Sequence, residues 1–398
     1  MADDATEVSL QKMLVIMGSG LCGALVYTWS DTFWFSAVEG EVYAFSSFCT
    51  ALVVWLILKW ENRADDPSSD RYLILIAYII GVSIAVHLLN LLCIPAIVLV
   101  IYYRKWKNTT AKGSLIALGV SAVIVGLILY GLVPGFIEIS QYFELFFVNT
   151  LGWSFNSGVL VYAVILVAVF VWAIAELYKG RSLNGVRWSV LLAMVLSGIF
   201  FIGDSLWIPV LLTALLAVYL WMAPRLRTRV LSIAVVSVLV IFVGYSSYAL
   251  LLIRSSANPP MNQNTPDNVF DLASYLNREQ YGDRPLLYGN SFDADIIYRM
   301  DSNGNYLPVY EEGPAEYSKV AKANPSEPDK YIVTGHKRSA VTTPELNMLF
   351  PRMYSGAHAA AYRDWTGMTG TPVDGTLIVA DDGTPIHTQP KIKPTQAE

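Results

Sequence analysis

Charge is what this chain has least of. Only 15% of its 398 residues are charged, against 54% hydrophobic; a soluble domain usually carries about 25% charge. From Met13 to Ile253 charge comes only in short clusters between long apolar runs, and beyond Arg254 it becomes ordinary. That shift marks a domain boundary. Cysteine is scarce as well. Cys22, Cys49 and Cys93 all sit in apolar runs, where they read as small buried hydrophobes, and the remainder of the chain has none. A disulfide framework or a thiolate metal site in the C-terminal part is thereby excluded. The net charge of -5 gives no sign of a nucleic-acid partner. Motifs for soluble-enzyme chemistry are missing too: there is no phosphate-binding glycine loop, no paired-cysteine metal site and no nucleophile elbow. His336, His358 and His387 have no ligand partner at helical spacing, so no metal is expected at them.

What is present is apolar length. A membrane span needs roughly 20 apolar residues, or about 17 at the short end. Nine spans are expected, over 12–29, 42–60, 71–86, 88–103, 113–133, 158–178, 187–203, 206–222 and 230–253. The stretch Tyr72–Tyr103 would be about 48 Å long as one helix, too long for a core of about 30 Å. It is therefore split at His87–Asn90, and Phe200–Trp207 is split in the same way with Asp204 at the turn. The basic residues support both splits. One set of loops holds Lys59, Arg63 and Arg71; then Arg104, Lys105, Lys107 and Lys112; then Lys179, Arg181 and Arg187; then Arg225, Arg227 and Arg229. The alternate set, 30–41, 87–90, 132–157 and 203–206, has no Lys or Arg. Such alternation places the basic loops in the cytoplasm and the C-terminal domain outside. The acidic N-terminus is not a signal peptide. Trp29, Trp34, Trp60, Trp106, Trp153, Trp188, Trp207 and Trp221 fall near span ends, as an aromatic belt requires.

The expected fold is thus mainly α: a polytopic α-helical membrane bundle over 1–253, followed by a small α+β domain over 254–398. In that domain Thr265-Pro266-Asp267 starts a helix running to Asn277. Strands are expected at Pro285–Tyr288, Tyr306–Tyr310, Tyr331–Val333 and Thr376–Val379, with turns at Asn303-Gly304 and Asp382-Gly383. The tail PKIKPTQAE belongs to no element the pattern identifies. In the loop 134–157, Phe136, Ile139, Tyr142, Phe143, Phe146 and Phe147 are expected to lie in the membrane interface while Glu138, Gln141 and Glu144 face water. A loop that merely covers the bundle fits equally well.

Four features carry possible chemistry. Asp31, Glu39 and Glu41 lie in a loop beside the membrane, where a carboxylate can serve as general base. Glu39 and Glu41 converge only if Gly40 bends the chain, leaving Glu39 in the loop and Glu41 at the start of a helix. Glu41 also reads simply as a first-turn acid that favours the helix dipole. His87 and Asn90 are polar groups at a membrane turn, where a phosphate can meet His87 and the N-terminus of the next helix; a plain headgroup-level turn is the other reading. Asp204 reads as a structural turn residue. Arg254 is a lone cation at the exit of the last span, either snorkelling to headgroups or contacting phosphate.

Three segments, YTWSDTFWFSAVEGEVYAFSS, GVSIAVHLLNLLCIPAI and RSSANPPMNQNTPDNVFDLASYLNREQYGDRPLLYG, resemble a large family of membrane proteins common in Bacteroidota, long labelled only as a domain of unknown function. That family is similar to the animal transmembrane protein O-mannosyltransferase with tetratricopeptide repeats, and to glycosyltransferases of the GT-C fold. The resemblance implies transfer of a sugar, mannose or one like it, from a polyprenyl-phosphate donor to secreted protein at the outer face of a bacterial inner membrane. The partners it implies are the lipid bilayer, the donor lipid and a secreted protein acceptor, with no further cofactor. It implies that Glu39, Glu41 or Asp31 assists as base and that His87, Asn90 and Arg254 bind the lipid phosphate. Gly81–Pro95 resembles the turn that in related enzymes sets a lysine near the donor phosphate, with His87 at the lysine position; histidine is the weaker cation near neutral pH. Family members also carry an outer loop with an Asp-Cys-Gly-Glu signature, expected to supply the main catalytic acid. Nothing like it occurs here, so the resemblance implies an internal portion of a longer enzyme, inactive alone. A transporter or flippase of a lipid-linked substrate is the rival reading. It calls for internal repeats and midplane polar residues, and the sequence shows neither.

The topology is testable directly. In a background lacking the three native cysteines, a cysteine at Asn303 should react with an impermeant thiol reagent applied outside, and one at Asn108 should stay protected. Labelling at 108 and not at 303 would reverse the orientation.

Overall fold

The computed structural model describes residues 9–180, 182–203, 205–223, 225–262, 265–279, 285, 287–320, 322, 324 and 326–396. Asp204 and Arg181 lie outside the described residues, and so does Leu286 within the strand expected at 285–288. The chain is mostly helical with a C-terminal region of small sheets, as expected. Two compact units are formed. The first comprises Met1–Glu144 and Asn156–Val269; the second comprises Leu145–Phe155 and Phe270–Glu398. The second unit thus begins later than the expected boundary at 254 and takes a stretch from the middle of the chain.

The helices are α1 (Leu10–Thr28), α2 (Asp31–Val38), α3 (Val42–Glu61), α4 (Asp70–Ile84), α5 (Cys93–Lys105), α6 (Ala111–Gly126), α7 (Val133–Leu145), α8 (Ser157–Lys179), α9 (Leu183–Leu196), α10 (Trp207–Met222), α11 (Thr228–Tyr245), α12 (Tyr248–Ser256), α13 (Val269–Leu276) and α14 (Ala359–Thr366). Among the described residues, six helical stretches are long and apolar enough to cross a membrane: 10–28, 42–61, 88–105, 111–150, 157–179 and 228–256. This makes the chain a multi-pass membrane protein. The other three expected spans are α4, α9 and α10, at 15, 14 and 16 residues. At 1.5 Å per residue they reach about 21–24 Å, short of a core of about 30 Å.

The first unit turns on α4 and α11. These two run the same way: Arg229 bonds Asp70 at their N-terminal ends through Nε at 2.6 Å and Nη2 at 2.8 Å, and Gly81 meets Ile241 near their C-terminal ends. A Cβ on Gly81 would strike the Ile241 backbone, and one on Gly244 would strike the backbone of Gly81 and Val82. Glycine here is a condition of the packing. It lets the two backbones touch, as small residues do in membrane interfaces.

Contacts link the basic loops to one another. Arg104 donates to Asp65 at 2.6 Å and to the Glu61 carbonyl at 3.1 Å, and its bond holds the Asp65 carboxyl below the usual carboxylate range. Lys105 reaches the Ala64 carbonyl. Arg187 donates to the Leu220 carbonyl at 2.8 Å, and the Glu176 carboxylate packs on Gly185. All four basic loops therefore gather at one end of the bundle, as their alternation in sequence requires.

Several expectations need correction. Residues 30–41 are no open loop: they contain α2, with Asp31 in its first turn. Helix α9 stops at Leu196 instead of 203, because Gly198 (φ +78) turns the chain against the backbone of Gly135. The last expected span, 230–253, lies within one membrane-length helical stretch, 228–256, which carries a local turn at Ser246-Ser247 between α11 and α12. Of the cysteines, Cys49 is buried but Cys22 is exposed.

The largest correction concerns 134–157. Helix does not end at 133; it continues through Thr150. Pro134 is tolerated because Leu127–Leu132, just before it, is a π-turn, whose wider spacing relieves the clash and the missing donor that proline brings to an α-helix. Nor does Glu144 face water. It is fully buried, at 0% exposure, while Tyr142 is exposed. Its carboxylate accepts from the amides of Asn156 (2.5 Å), Gly158 (3.0 Å) and Val159 (3.3 Å). These are the orphan donors at the start of α8, and Asn156 (φ +67) supplies no side-chain cap of its own. The demand of unpaired amides next to lipid draws the carboxylate inside.

In the second unit the strands are β1 (Tyr288–Asn290), β2 (Tyr298–Met300), β3 (Tyr306–Pro308), β4 (Tyr310–Lys319), β5 (Tyr331–Ala340), β6 (Asn347–Leu349), β7 (Thr371–Val379) and β8 (Pro385–Lys393). They form a four-stranded sheet ordered β3-β2-β7-β8 and two two-stranded ribbons, β1-β6 and β4-β5. Both expected turns are present. Asp301 accepts from the amides of Asn303 (2.9 Å) and Asn305 (2.8 Å) while Gly304 takes φ +81, and Gly383 takes φ +84. The tail is not without structure, since Lys391–Lys393 close β8. The stretch Leu145–Phe155 is fastened inside this unit. Asn149 exchanges two hydrogen bonds with the backbone of Tyr331, at 3.0 and 2.8 Å. The Phe155 amide donates to Asp329 at 3.1 Å, and the Phe155 and Tyr331 rings meet edge to face at 4.9 Å. A hydrogen bond from Lys322 holds Asp329 below the usual range.

Removing the Glu144 cap should be costly. Glu144→Ala strands three amide donors away from water and should lower stability by about 2–3 kcal/mol, read as a fall in the melting temperature of the detergent-purified protein. Glu144→Gln, which keeps an acceptor but not the charge, should fall between it and wild type. A melting temperature unchanged by Glu144→Ala would show that the cap carries no weight.

Candidate functional site

The carboxylates and the polar turn meet at the end of the bundle opposite the basic loops. Asp31 opens α2, Glu39 closes it, Gly40 takes φ +71 and Glu41 is the N-cap of α3. The bend needed at Gly40 is therefore present. All three carboxylates are exposed, and among the described residues none makes a side-chain hydrogen bond or ion pair. They remain available to an incoming group, and no neighbouring cation holds them.

The turn between α4 and α5 is built around His87. Its amide donates to the Ser83 carbonyl at 2.7 Å, and its extended backbone starts a 3-10 segment over Leu88–Leu92. The ring nitrogen Nδ1 accepts from the Leu89 amide at 3.1 Å. That bond settles the roles of the two nitrogens: Nδ1 is an acceptor, so the proton sits on Nε2, which remains the donor. Asn90 is interior, at 1% exposure. Its Oδ1 accepts from Thr50 and from Cys93, both at 3.3 Å, and its Nδ2 has no partner. Asn90 thus ties the turn to α3 and α5, and its amide group is shut away from solvent.

Tyr43 joins the two groups of candidates. It lies two residues after Glu41, and its ring packs on that of His87 at 5.3 Å and 57°. The Glu39-Gly40-Glu41 bend and His87 are therefore neighbours through one aromatic contact. Tyr43 and Thr50 were not singled out from the sequence, which gave no periodic signal for them. Arg254 stands apart: it is exposed in the last turn of α12, and among the described residues no hydrogen bond or ion pair joins it to His87 or Asn90. No cluster of three or more His, Cys, Asp or Glu suited to a metal ion occurs among the described residues.

A family model described as the N-terminal domain of protein O-mannosyl-transferase TMEM260 matches residues 1–110. A second, described as a family of unknown function (DUF8416), matches residues 282–398. No curated protein and no solved structure matches the chain. The first match spans every carboxylate of the bend together with His87 and Asn90; Arg254 lies between the two matches.

The cap at His87 can be separated from any role of its second nitrogen. His87→Ala should lower stability by about 1 kcal/mol, whereas His87→Asn, which can still accept from the Leu89 amide, should lose only a few tenths. Thermal unfolding of the purified protein measures both, and equal losses would show that the capping bond contributes nothing.

Proposed function

We propose that this chain forms the membrane part of a protein O-mannosyltransferase of GT-C type, taking mannose from a polyprenyl-phosphate donor at the outer face and passing it to a protein hydroxyl. The observation that carries this reading is the match of residues 1–110 to the TMEM260 N-terminal domain, over the stretch in which the ring of Tyr43, two residues after Glu41, packs on His87. In the reaction the acceptor hydroxyl attacks the anomeric carbon, the bond from that carbon to the phosphate oxygen breaks, and polyprenyl phosphate leaves. The hydroxyl proton passes to a carboxylate, for which Glu39 and Glu41 are exposed and unpaired. His87 donates from Nε2 to the phosphate oxygens, stabilising charge that grows as the bond breaks. Asn90 acts from inside by fixing the turn that presents His87. Arg254 is the additional cation for the phosphate, and Asp31 a further carboxylate at the same surface.

The test uses membranes of cells producing the protein as it occurs in its host, with a polyprenyl-phosphate mannose donor and a secreted acceptor protein. Glu39→Gln or Glu41→Gln should cut transfer by about 10²–10⁴-fold if that residue is the general base, and Asp31→Asn should cut it less. His87→Ala should weaken donor use about ten- to hundred-fold. His87→Lys should keep much of that loss from appearing, and His87→Asn, which restores only the cap, should not. Full transfer in the double variant Glu39→Gln/Glu41→Gln would overturn the assignment of the base, and unchanged donor dependence in His87→Ala would overturn that of the phosphate contact.

A further inference from the structure

The end of the bundle that gathers the basic loops contains a recess of about 460 Å³, set among α4, α8 and α11. Its rim is polar: Ser68, Asp70, Arg71, Tyr178, Arg229 and Ser232 line it. Ile74, Leu177 and Ile233 form its apolar wall. The mechanism proposed above uses none of these residues.

Three features give the recess a positive character. Because α4 and α11 run the same way, both N-termini face this one place, and the positive ends of two helix dipoles add instead of cancelling. Arg227 before α11 makes no capping bond, whereas the single turn Pro67–Ser69 that leads into α4 is capped by Asp66, which accepts from the amide and the hydroxyl of Ser68 at 2.9 and 2.6 Å. The ionised side chains on the lining are Asp70, Arg71 and Arg229, one acid against two bases, and Asp66 beside them interacts with both arginines. Asp70 is committed to Arg229 by two hydrogen bonds, which fixes the Arg229 guanidinium at the rim. Arg71 makes only a 3.4 Å bond to the Tyr72 hydroxyl and leans over that ring at 5.1 Å, so most of its donors are unused. The Ser69 hydroxyl, fully buried beside the lining residues Ser68 and Asp70, also has no partner.

We infer that this recess binds the phosphate of an anionic phospholipid headgroup from the leaflet on the basic side of the membrane, with the guanidinium of Arg71 as its main contact. Phosphate chemistry follows from the guanidinium fork, the surrounding hydroxyls and the helix N-termini. A lipid source follows from the apolar wall one turn inside a polar rim. Basic recesses between membrane helices at such a level hold anionic headgroups. The site is at the opposite end of the bundle from His87, and the residues lining the recess take no part in the proposed sugar transfer.

Purified full-length chain in nanodiscs of phosphatidylcholine, with or without phosphatidylglycerol, provides the test. Native mass spectrometry should show one phosphatidylglycerol retained by wild type in preference to phosphatidylcholine. Arg71→Gln should weaken that retention about tenfold, and Ser232→Trp, which fills the recess without changing a charge, should do the same. His87→Ala should leave it unchanged. If phosphatidylcholine is retained equally, or if both recess variants retain phosphatidylglycerol like wild type, the proposal fails. If millimolar inorganic phosphate displaces the lipid completely, the site takes a free phosphate and the lipid assignment is overturned.

Discussion

The backbone contact of α4 with α11 is the constraint on which both ends of the first unit depend. Lipid offers helices no hydrophobic drive to associate, so close van der Waals approach must supply it. Gly81 and Gly244 allow that approach. One consequence appears at each end. At the start of the pair, Asp70 and Arg229 are brought within 2.6 Å, and two helix N-termini share one recess. Beyond the far end, the chain leaving α4 enters the turn that carries His87. A bulkier residue at either glycine would force the two backbones apart and disturb the recess and the turn together.

A second constraint is the need to satisfy backbone donors where water is absent. Glu144 caps α8, and His87 caps the 3-10 segment that leads into α5. In each case a polar side chain that a hydropathy pattern assigns to the surface or to chemistry is answering a local shortage of acceptors. For His87 the two roles are compatible, because the cap uses one ring nitrogen and leaves the other. For Glu144 they are not, because its carboxylate is spent on three amides and fully enclosed.

The bundle was largely legible in the sequence because lipid demands long apolar runs and Lys and Arg avoid one side of the membrane. The split at His87–Asn90 and the grouping of the basic loops both follow from those demands. Helix ends were less legible. The stop at Leu196 depends on Gly198 meeting Gly135, and the passage through Pro134 depends on a π-turn; both are tertiary facts that no local pattern encodes. Glu144 was misplaced because amphipathic spacing sees only its own helix, and the donors that draw it inward belong to α8. In the second unit, β4 and β8 escaped notice because YEEGPAEYSK and PIHTQPKIK are polar on both faces, so the alternation that marks a half-buried strand is absent. At the candidate site the carboxylates, His87 and Asn90 were legible as polar residues in apolar surroundings. Tyr43, which connects them, was not, since an aromatic residue near a span end looks like any other member of the interfacial belt.

The clasp of Asn149 on Tyr331 joins residues 182 positions apart. Chains grow from the N-terminus at about 5–20 residues per second. The amide of Asn149 therefore leaves the ribosome on the order of ten to forty seconds before the strand it will pair with exists. Throughout that interval Leu145–Phe155, with its exposed Phe146 and Trp153, has no partner from its own unit. It is during biosynthesis, and not in the finished protein, that this segment is most exposed to wrong partners.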